Sequence, residues 1–324
     1  MKTNITYNMD ALTAAKLLPD DCVDCIVTSP PYYGLRDYGV IGQIGLEATP
    51  EQYIRKLVEL FRELRRALKS CGTLWINIGD TYAAGSMTPH AGQRKNRDQS
   101  AMCGLRRSSV NGLKNKDLIG IPWMLAFALR ADGWYLRSDI IWHKPNPMPE
   151  SVTDRPTKAH EYIFLLSKSP KYYYDVDAIR EPHTSIDDLK RRIQNGHGEW
   201  KTNKAASGSE YAIAGTRRNR AELYNPKGRN KRSVWSVPTA VVKEAHFATF
   251  PEALIVPCVL AGCPEGGIVL DPFMGSGTTA VVARKNNRQY IGFELNKDYV
   301  DITNDRLRRE LGLFHCSADF RYDK

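Results

Sequence analysis

Two short stretches of this 324-residue chain combine residue types and spacings suited to chemistry. The first is Thr28-Ser29-Pro30-Pro31-Tyr32, which closes the apolar run CVDCIVTSPP at 22–31. Two consecutive prolines fix φ and remove two N–H donors, so the turn is rigid and rich in free carbonyls. A wall of acceptors is of no use to a phosphate. It suits a group with N–H bonds to give, such as the exocyclic amine of a heterocycle. That amine is a poor nucleophile, because its lone pair is delocalised into the ring. The Ser29 hydroxyl and the Pro30 carbonyl are placed to accept its two hydrogens and localise the lone pair, with Pro31 holding the turn. Tyr32 is expected to stack on the ring, an interaction worth about 1–3 kcal/mol for a base on an aromatic side chain.

The second stretch is Asp271-Pro272-Phe273-Met274-Gly275-Ser276-Gly277-Thr278-Thr279, at the end of a strand and the start of a helix. Open α/β sheets bind ligands at that position. Glycines let the backbone approach a ligand closely, and the first turn of the helix offers unpaired N–H groups. Glu294 ends the next strand, 19 residues after Gly275, where an acidic side chain accepts hydrogen bonds from ribose hydroxyls. These features fit a nucleoside-bearing cofactor. The dinucleotide fingerprint is met only weakly, with Ala280 in third place, and the chain has no G-x-x-x-x-G-K-[ST] run for ATP or GTP.

Alternating elements must hold these two turns. Ile54, Leu57, Val58, Phe61, Leu64 and Leu68 form one stripe of a helix over 51–70, and Gly72 is expected to stop it ahead of a strand at 71–80. Residues 117–131 predict a buried helix ended by Gly133, followed by strands at 134–145 and 161–169. A helix ending at Gly262, a strand at 266–273, a helix at 275–287, a strand at 288–295 and a helix at 296–311 complete the series. Apolar strands separated by helices predict an α/β fold with a mostly parallel sheet covered on both faces. The turns after Thr28 and Asp271 are then expected at one edge of it.

The chain carries 46 Lys and Arg against 36 Asp and Glu, a net charge of +10, and the surplus is local. Segment 85–116 has seven basic residues and one acidic; segment 183–236 has twelve and five; the remainder has 27 and 30. A near-neutral body with two basic insertions is a pattern that attracts polyanions, with a solubilising loop as the plain alternative. The seven cysteines argue against a disulfide framework, and Cys22 and Cys25 face opposite sides of a strand, so no metal site is expected. No membrane span or secretory leader is recognisable, so the expected location is the cytoplasm.

TSPPY and DPFMGSGTT together resemble the amino-methyltransferases of DNA, which use S-adenosylmethionine to methylate cytosine N4 or adenine N6. The order, catalytic motif first and cofactor motif last, is similar to their permuted β class. Segments 144–169 and 246–263 extend the resemblance to about three-quarters of the chain, leaving out 85–116 and about 176–235. It implies a doubly wound methyltransferase domain in two halves, 1–175 and 241–324, around a target-recognition insertion at 176–240. It assigns Phe273, Gly275 and Gly277 to the surroundings of S-adenosylmethionine, with Asp271, Ser276 and Thr278 from the same motif. Glu294 takes the ribose, Phe250 a further cofactor-contacting position, and Asp10 the neighbourhood of the adenine. Ser29, Pro30, Pro31 and Tyr32 keep the catalytic roles argued above. Serine at the head of the tetrapeptide favours cytosine N4 over adenine N6. The implied partner is double-stranded DNA, with the target base flipped out of the stack and a restriction endonuclease as a possible companion. Lys144, Arg217, Arg218, Arg220, Lys227, Arg229, Lys231 and Arg232 are candidate contacts to phosphates or base edges. The competing readings are adenine N6 as target, an inactive DNA-binding protein of the same fold, and an RNA or protein-amide substrate.

Overall fold

A computed structural model describes residues 1–35, 37–83, 113–183, 225, 227–239 and 250–312. The strands are β1 (Ile5–Asn8), β2 (Val23–Thr28), β3 (Leu68–Ile78), β4 (Tyr135–His143), β5 (His160–Ser167), β6 (Val234–Ser236), β7 (Ile268–Asp271) and β8 (Gln289–Glu294). They form one 8-stranded sheet in the order β1-β8-β7-β2-β3-β5-β4-β6. Pairing is parallel from β1 through β3 and between β4 and β6, and antiparallel where β5 meets β3 and β4. Thus β5 alone runs against the other described strands.

Residues on one face of the central strands, among them Ile26, Leu74, Ile76, Leu270 and Phe293, are buried with helices α1 (Ala11–Lys16), α2 (Pro50–Ala67) and α3 (Ile121–Ala131). The intervening Cys25 and Trp75 face α4 (Glu252–Gly262), which approaches so closely that a Cβ on Gly262 would lie 2.5 Å from Trp75 Nε1. Helices α5 (Thr278–Lys285) and α6 (Lys297–Leu311) pack beside α4. Arg306 on α6 binds Glu252 on α4 at 2.8 Å, and Lys285 on α5 reaches Glu310 on α6 at 2.6 Å. The sheet is therefore doubly wound, with every central strand buried on both faces. No described helix is long and apolar enough to cross a membrane.

Helix α2 starts at the Thr49 cap, whose hydroxyl accepts from Gln52 N, and carries Pro50 where no N–H is needed. Its end corrects the sequence expectation. The helix stops at Ala67, not at Gly72, because Leu68 turns extended (φ −73°, ψ 134°) and enters β3 opposite Val23. Gly72 lies inside β3, where a Cβ would sit 2.5 Å from the Leu68 side chain. Likewise Cys22 precedes β2 instead of belonging to it, while Cys25 is buried within the strand.

The chain divides into two compact units, Met1–Asp175 with Ser233–Lys324, and Val176–Arg232. Within the smaller unit a one-turn helix (Asp177–Ile179) precedes Glu181, which bridges to Arg229 through paired backbone hydrogen bonds of 2.9 Å.

Candidate active site

Because β2 and β7 are parallel neighbours, the turns that follow them emerge side by side, and one buried carboxylate joins them. Asp271 Oδ1 accepts from the Thr28 hydroxyl at 2.7 Å and from Phe273 N at 3.0 Å, while Oδ2 accepts from the Thr279 hydroxyl at 2.6 Å. Burial pushes the Asp271 carboxyl up to about 6, against the opposing pull of those donors. Both turns open on one cavity of about 270 Å³, lined from the ends of β1, β2, β3, β4, β5, β7 and β8. The sequence places Asp271 among the cofactor contacts; the structure sets it behind the wall, where it buttresses both turns.

On the β2 side the cavity is lined by Ser29, Pro30, Pro31 and Tyr32. The Tyr53 hydroxyl donates to the Pro31 carbonyl at 2.9 Å, engaging one of its two lone pairs. The Tyr32 hydroxyl donates to Glu161 Oε2 at 2.6 Å. Burial and the neighbouring Glu161 carboxylate hold its phenol well above the usual tyrosine range, and a hydrogen bond with Ser29 opposes them weakly. Tyr32 is therefore a neutral donor. Gly79 makes room for it, since a Cβ there would lie 2.7 Å from the ring.

Among the lining residues with no signal in the sequence reading are Asn77, Trp142 and Glu161. Asn77 Nδ2 donates to Glu161 Oε2 at 3.2 Å, and Lys144 Nζ pairs with Glu161 Oε1 while lying 4.4 Å from the Trp142 ring centroid. Glu161 reaches this edge because β5 is antiparallel, so its first residues stand beside the last residues of β3 and β4. The only hint in the sequence was an acidic residue opening an apolar strand, which is not specific. Lys144, a candidate DNA contact, thus lines the cavity in an ion pair.

On the β7 side, Phe273, Gly275, Ser276, Thr278, Glu294, Phe250 and Asp10 also line the cavity, and Gly277 does not. Gly275 has φ +54°, and a Cβ on it would meet nothing nearer than Phe273 O at 3.9 Å. Gly277 has φ +82°, and its Cβ would lie 2.7 Å from the Thr303 side chain, so this glycine serves helix packing. Glu294 Oε2 accepts from Gly275 N, and Oε1 accepts from Asn296 N, each at 2.8 Å; burial raises its carboxyl above the usual range. Asp10 caps α1 by accepting from Thr13 N at 2.8 Å. The Ser276 hydroxyl is buried and has no hydrogen-bond partner among the described residues.

In the smaller unit, Lys227 pairs with Asp177 at 2.8 Å, and Arg229, Lys231 and Arg232 approach Glu181 at 3.3, 3.8 and 3.1 Å. With Arg180 also on Asp177, five cations gather around these two carboxylates. Arg217, Arg218 and Arg220, with most of both basic insertions, lie outside the described residues.

Two turns, one rich in acceptors and one opened by glycine, converge on one cavity. Comparison with known proteins fits that geometry. The chain is 48% identical over 304 residues to the type II methyltransferase M.Cfr9I of Citrobacter freundii, covering 94% of this chain and 87% of that protein. Among solved structures, PvuII DNA methyltransferase (cytosine-N4-specific) shares the fold with a TM-score of 0.60 at 16% identity, over 94% of this chain and 88% of that one. A putative DNA modification methylase from Thermus thermophilus, complexed with S-adenosyl-L-methionine, does so with a TM-score of 0.56 at 22% identity, over 96% and 95%. The family model of N6/N4 DNA methylases matches residues 23–305, from β2 into α6 and so across both turns and all that lies between them, which makes this chain a member of that DNA methyltransferase family.

Proposed function

We propose that the protein methylates the exocyclic N4 amine of cytosine in duplex DNA, using S-adenosylmethionine, as a permuted β-class enzyme. The observation that carries this reading is the convergence of the Ser29–Tyr32 turn and the Phe273–Ser276 turn on one cavity, tied together by Asp271. The wall fits such a cofactor. Gly275 leaves open space where a side chain would project, Ser276 offers an orphaned buried hydroxyl, and Glu294 presents a carboxylate fixed by two backbone N–H groups. Phe250, Phe273 and Asp10 complete that side, and the carboxylates of Glu294 and Asp10 favour a positively charged ligand. What S-adenosylmethionine supplies when bound is an electrophilic methyl group.

The remaining chemistry belongs to the chain. Ser29 Oγ and the Pro30 carbonyl accept the two hydrogens of the target amine and leave its lone pair directed away from the ring. The Tyr32 ring, locked by Glu161 and backed by Gly79, forms the stacking surface for the flipped base. In-line attack by an amine needs neither a covalent enzyme intermediate nor a metal. Ser29 at the head of the tetrapeptide supports cytosine over adenine. The likeness to a type II methyltransferase supports a companion endonuclease, and DNA as substrate puts the work in the cytoplasm. The Val176–Arg232 unit, with its surplus of cations, is the target-recognition element.

Nucleoside-resolved sequencing of DNA from cells expressing the protein, beside a Ser29→Ala control, tests the reading. N4-methylcytosine at one short site, absent from the control, is the expected result. N6-methyladenine would keep the mechanism and overturn the base assignment. Unmodified DNA in both would favour the inactive DNA-binding protein.

A further inference from the structure

The segment between Gly34 and Gly45 leaves the catalytic turn, makes an excursion over the cavity and returns. Its base is closed by Gly34 N donating to Gly45 O at 2.7 Å. Leu35, Tyr38, Val40, Gly42, Gln43 and Ile44 line the cavity, so this loop forms part of its mouth. The tip is a type II β-turn over Val40–Gln43: Gln43 N donates to Val40 O at 3.3 Å, and Gly42 has the φ of +90° that the third position of this turn requires. The Gln43 side chain braces the tip, its Oε1 accepting from Tyr38 N at 2.7 Å.

This geometry puts Ile41 at the second position of the turn, the outermost corner, where it is 99% exposed. Its neighbours Val40 and Gly42 line the cavity while Ile41 does not, so its side chain is held outside the mouth. An isoleucine fully in water on a braced turn contributes nothing to the fold of the free protein. It suits a partner that presents apolar surface at the mouth of this cavity. Duplex DNA offers such surface at thymine methyls in the major groove and, more extensively, between its base steps once a base leaves the stack, and proteins that part those steps insert apolar wedges of this kind.

We infer that Ile41 is the wedge that enters the duplex when the target base leaves the stack, filling the gap and holding the base in the cavity. This rests on the methyltransferase reading above. Ile41 is thereby a positioning residue: it touches neither the cofactor nor the reacting amine, and it acts on the flipping equilibrium. Met148, 86% exposed on the loop that follows β4 at the same sheet edge, is the competing candidate.

The test compares wild type, Ile41→Ala and Met148→Ala in single-turnover methylation of two duplexes carrying the site found by sequencing. In one the target cytosine is paired with guanine; in the other it lies opposite an abasic position, so that extrusion costs less. Ile41→Ala is expected to lose about tenfold or more on the paired duplex, the equivalent of one pairing-scale increment in barrier. On the abasic duplex it is expected to return to within about twofold of wild type, since the unpaired base needs no wedge. An equal loss on both duplexes would mark a merely structural role, and no loss on either would remove the wedge; both overturn the inference. So does the selective pattern in Met148→Ala with Ile41→Ala unaffected. Wild type inactive on both duplexes would instead sink the methyltransferase reading, and this inference with it.

Discussion

At the scale of single residues, the site depends on carboxylates doing different work in different surroundings. Glu294 and Glu161 face the cavity, holding Gly275 N and the Tyr32 hydroxyl respectively, whereas Asp271 is sealed behind the wall and holds two turns in register. That burial has a measurable consequence. The Asp271 carboxyl ordinarily titrates at 3.8 and is pushed up to about 6 in the folded chain. Between those values the folded chain keeps a proton that the unfolded chain has released, so the contribution of Asp271 is fully present below about pH 4 and is lost as pH rises through about 6. Chemical denaturation of wild type and Asp271→Asn at pH 4.5 and pH 7 checks this. The stability difference should move in favour of wild type at the lower pH by roughly 1–3 kcal/mol, with one pKa unit worth about 1.4 kcal/mol. A difference that does not change with pH would contradict it.

At the scale of elements, the turn between β7 and α5 contains two glycines with positive φ and separate purposes. Gly275 faces open cavity, so an added methyl group meets what binds there; Gly277 faces Thr303 on α6, so an added methyl group meets the fold. Both alanine variants carry the left-handed backbone penalty of roughly 1–2 kcal/mol. Gly277→Ala adds overpacking of about 1–3 kcal/mol, and should show the larger fall in melting temperature. Gly275→Ala should show the larger loss of S-adenosylmethionine affinity by calorimetry, about tenfold, the equivalent of about 1.4 kcal/mol. The reverse order would mean that the roles of the two glycines have been exchanged here.

For the whole molecule, the relevant quantity is where charge lies. The net charge of +10 comes from two insertions on a body that is otherwise slightly acidic. The smaller unit, 176–232, carries 13 Lys and Arg against seven Asp and Glu. Association with duplex DNA should then release counterions from at least about six phosphates, giving a slope near −5 or steeper for log affinity against log salt. Fluorescence anisotropy across a salt titration reads this directly. A nearly flat response would leave the basic segments without a part in binding.

The chain by itself determined what its local patterns encode. The Ser29–Tyr32 turn is rigid because prolines make it so, the Gly275 turn is open because glycine lacks a side chain, and strands long enough to show period and apolarity were legible. Placement of both turns at one sheet edge also followed, because parallel strands separated by helices must present their ends together. The tertiary structure alone decided what depends on strand order and register. Glu161 lies 129 residues from Tyr32, and Thr28 lies 243 from Asp271; nothing in the spacing of either pair announces a hydrogen bond. Only the antiparallel setting of β5 brings Glu161 to the cavity, and only the pairing of β2 with β7 sets Asp271 within hydrogen-bonding reach of Thr28. β6, with three residues, was too short to carry a period, and β1, no shorter than β7, lacks its continuous apolar run; the end of α2 was set by Leu68 pairing opposite Val23, not by the glycine four residues on. Local sequence fixes conformation through sterics and hydrogen bonding along a few residues. Contacts across the sheet are fixed by the register of elements that fold far apart in the chain, and that register is a property of the packed core.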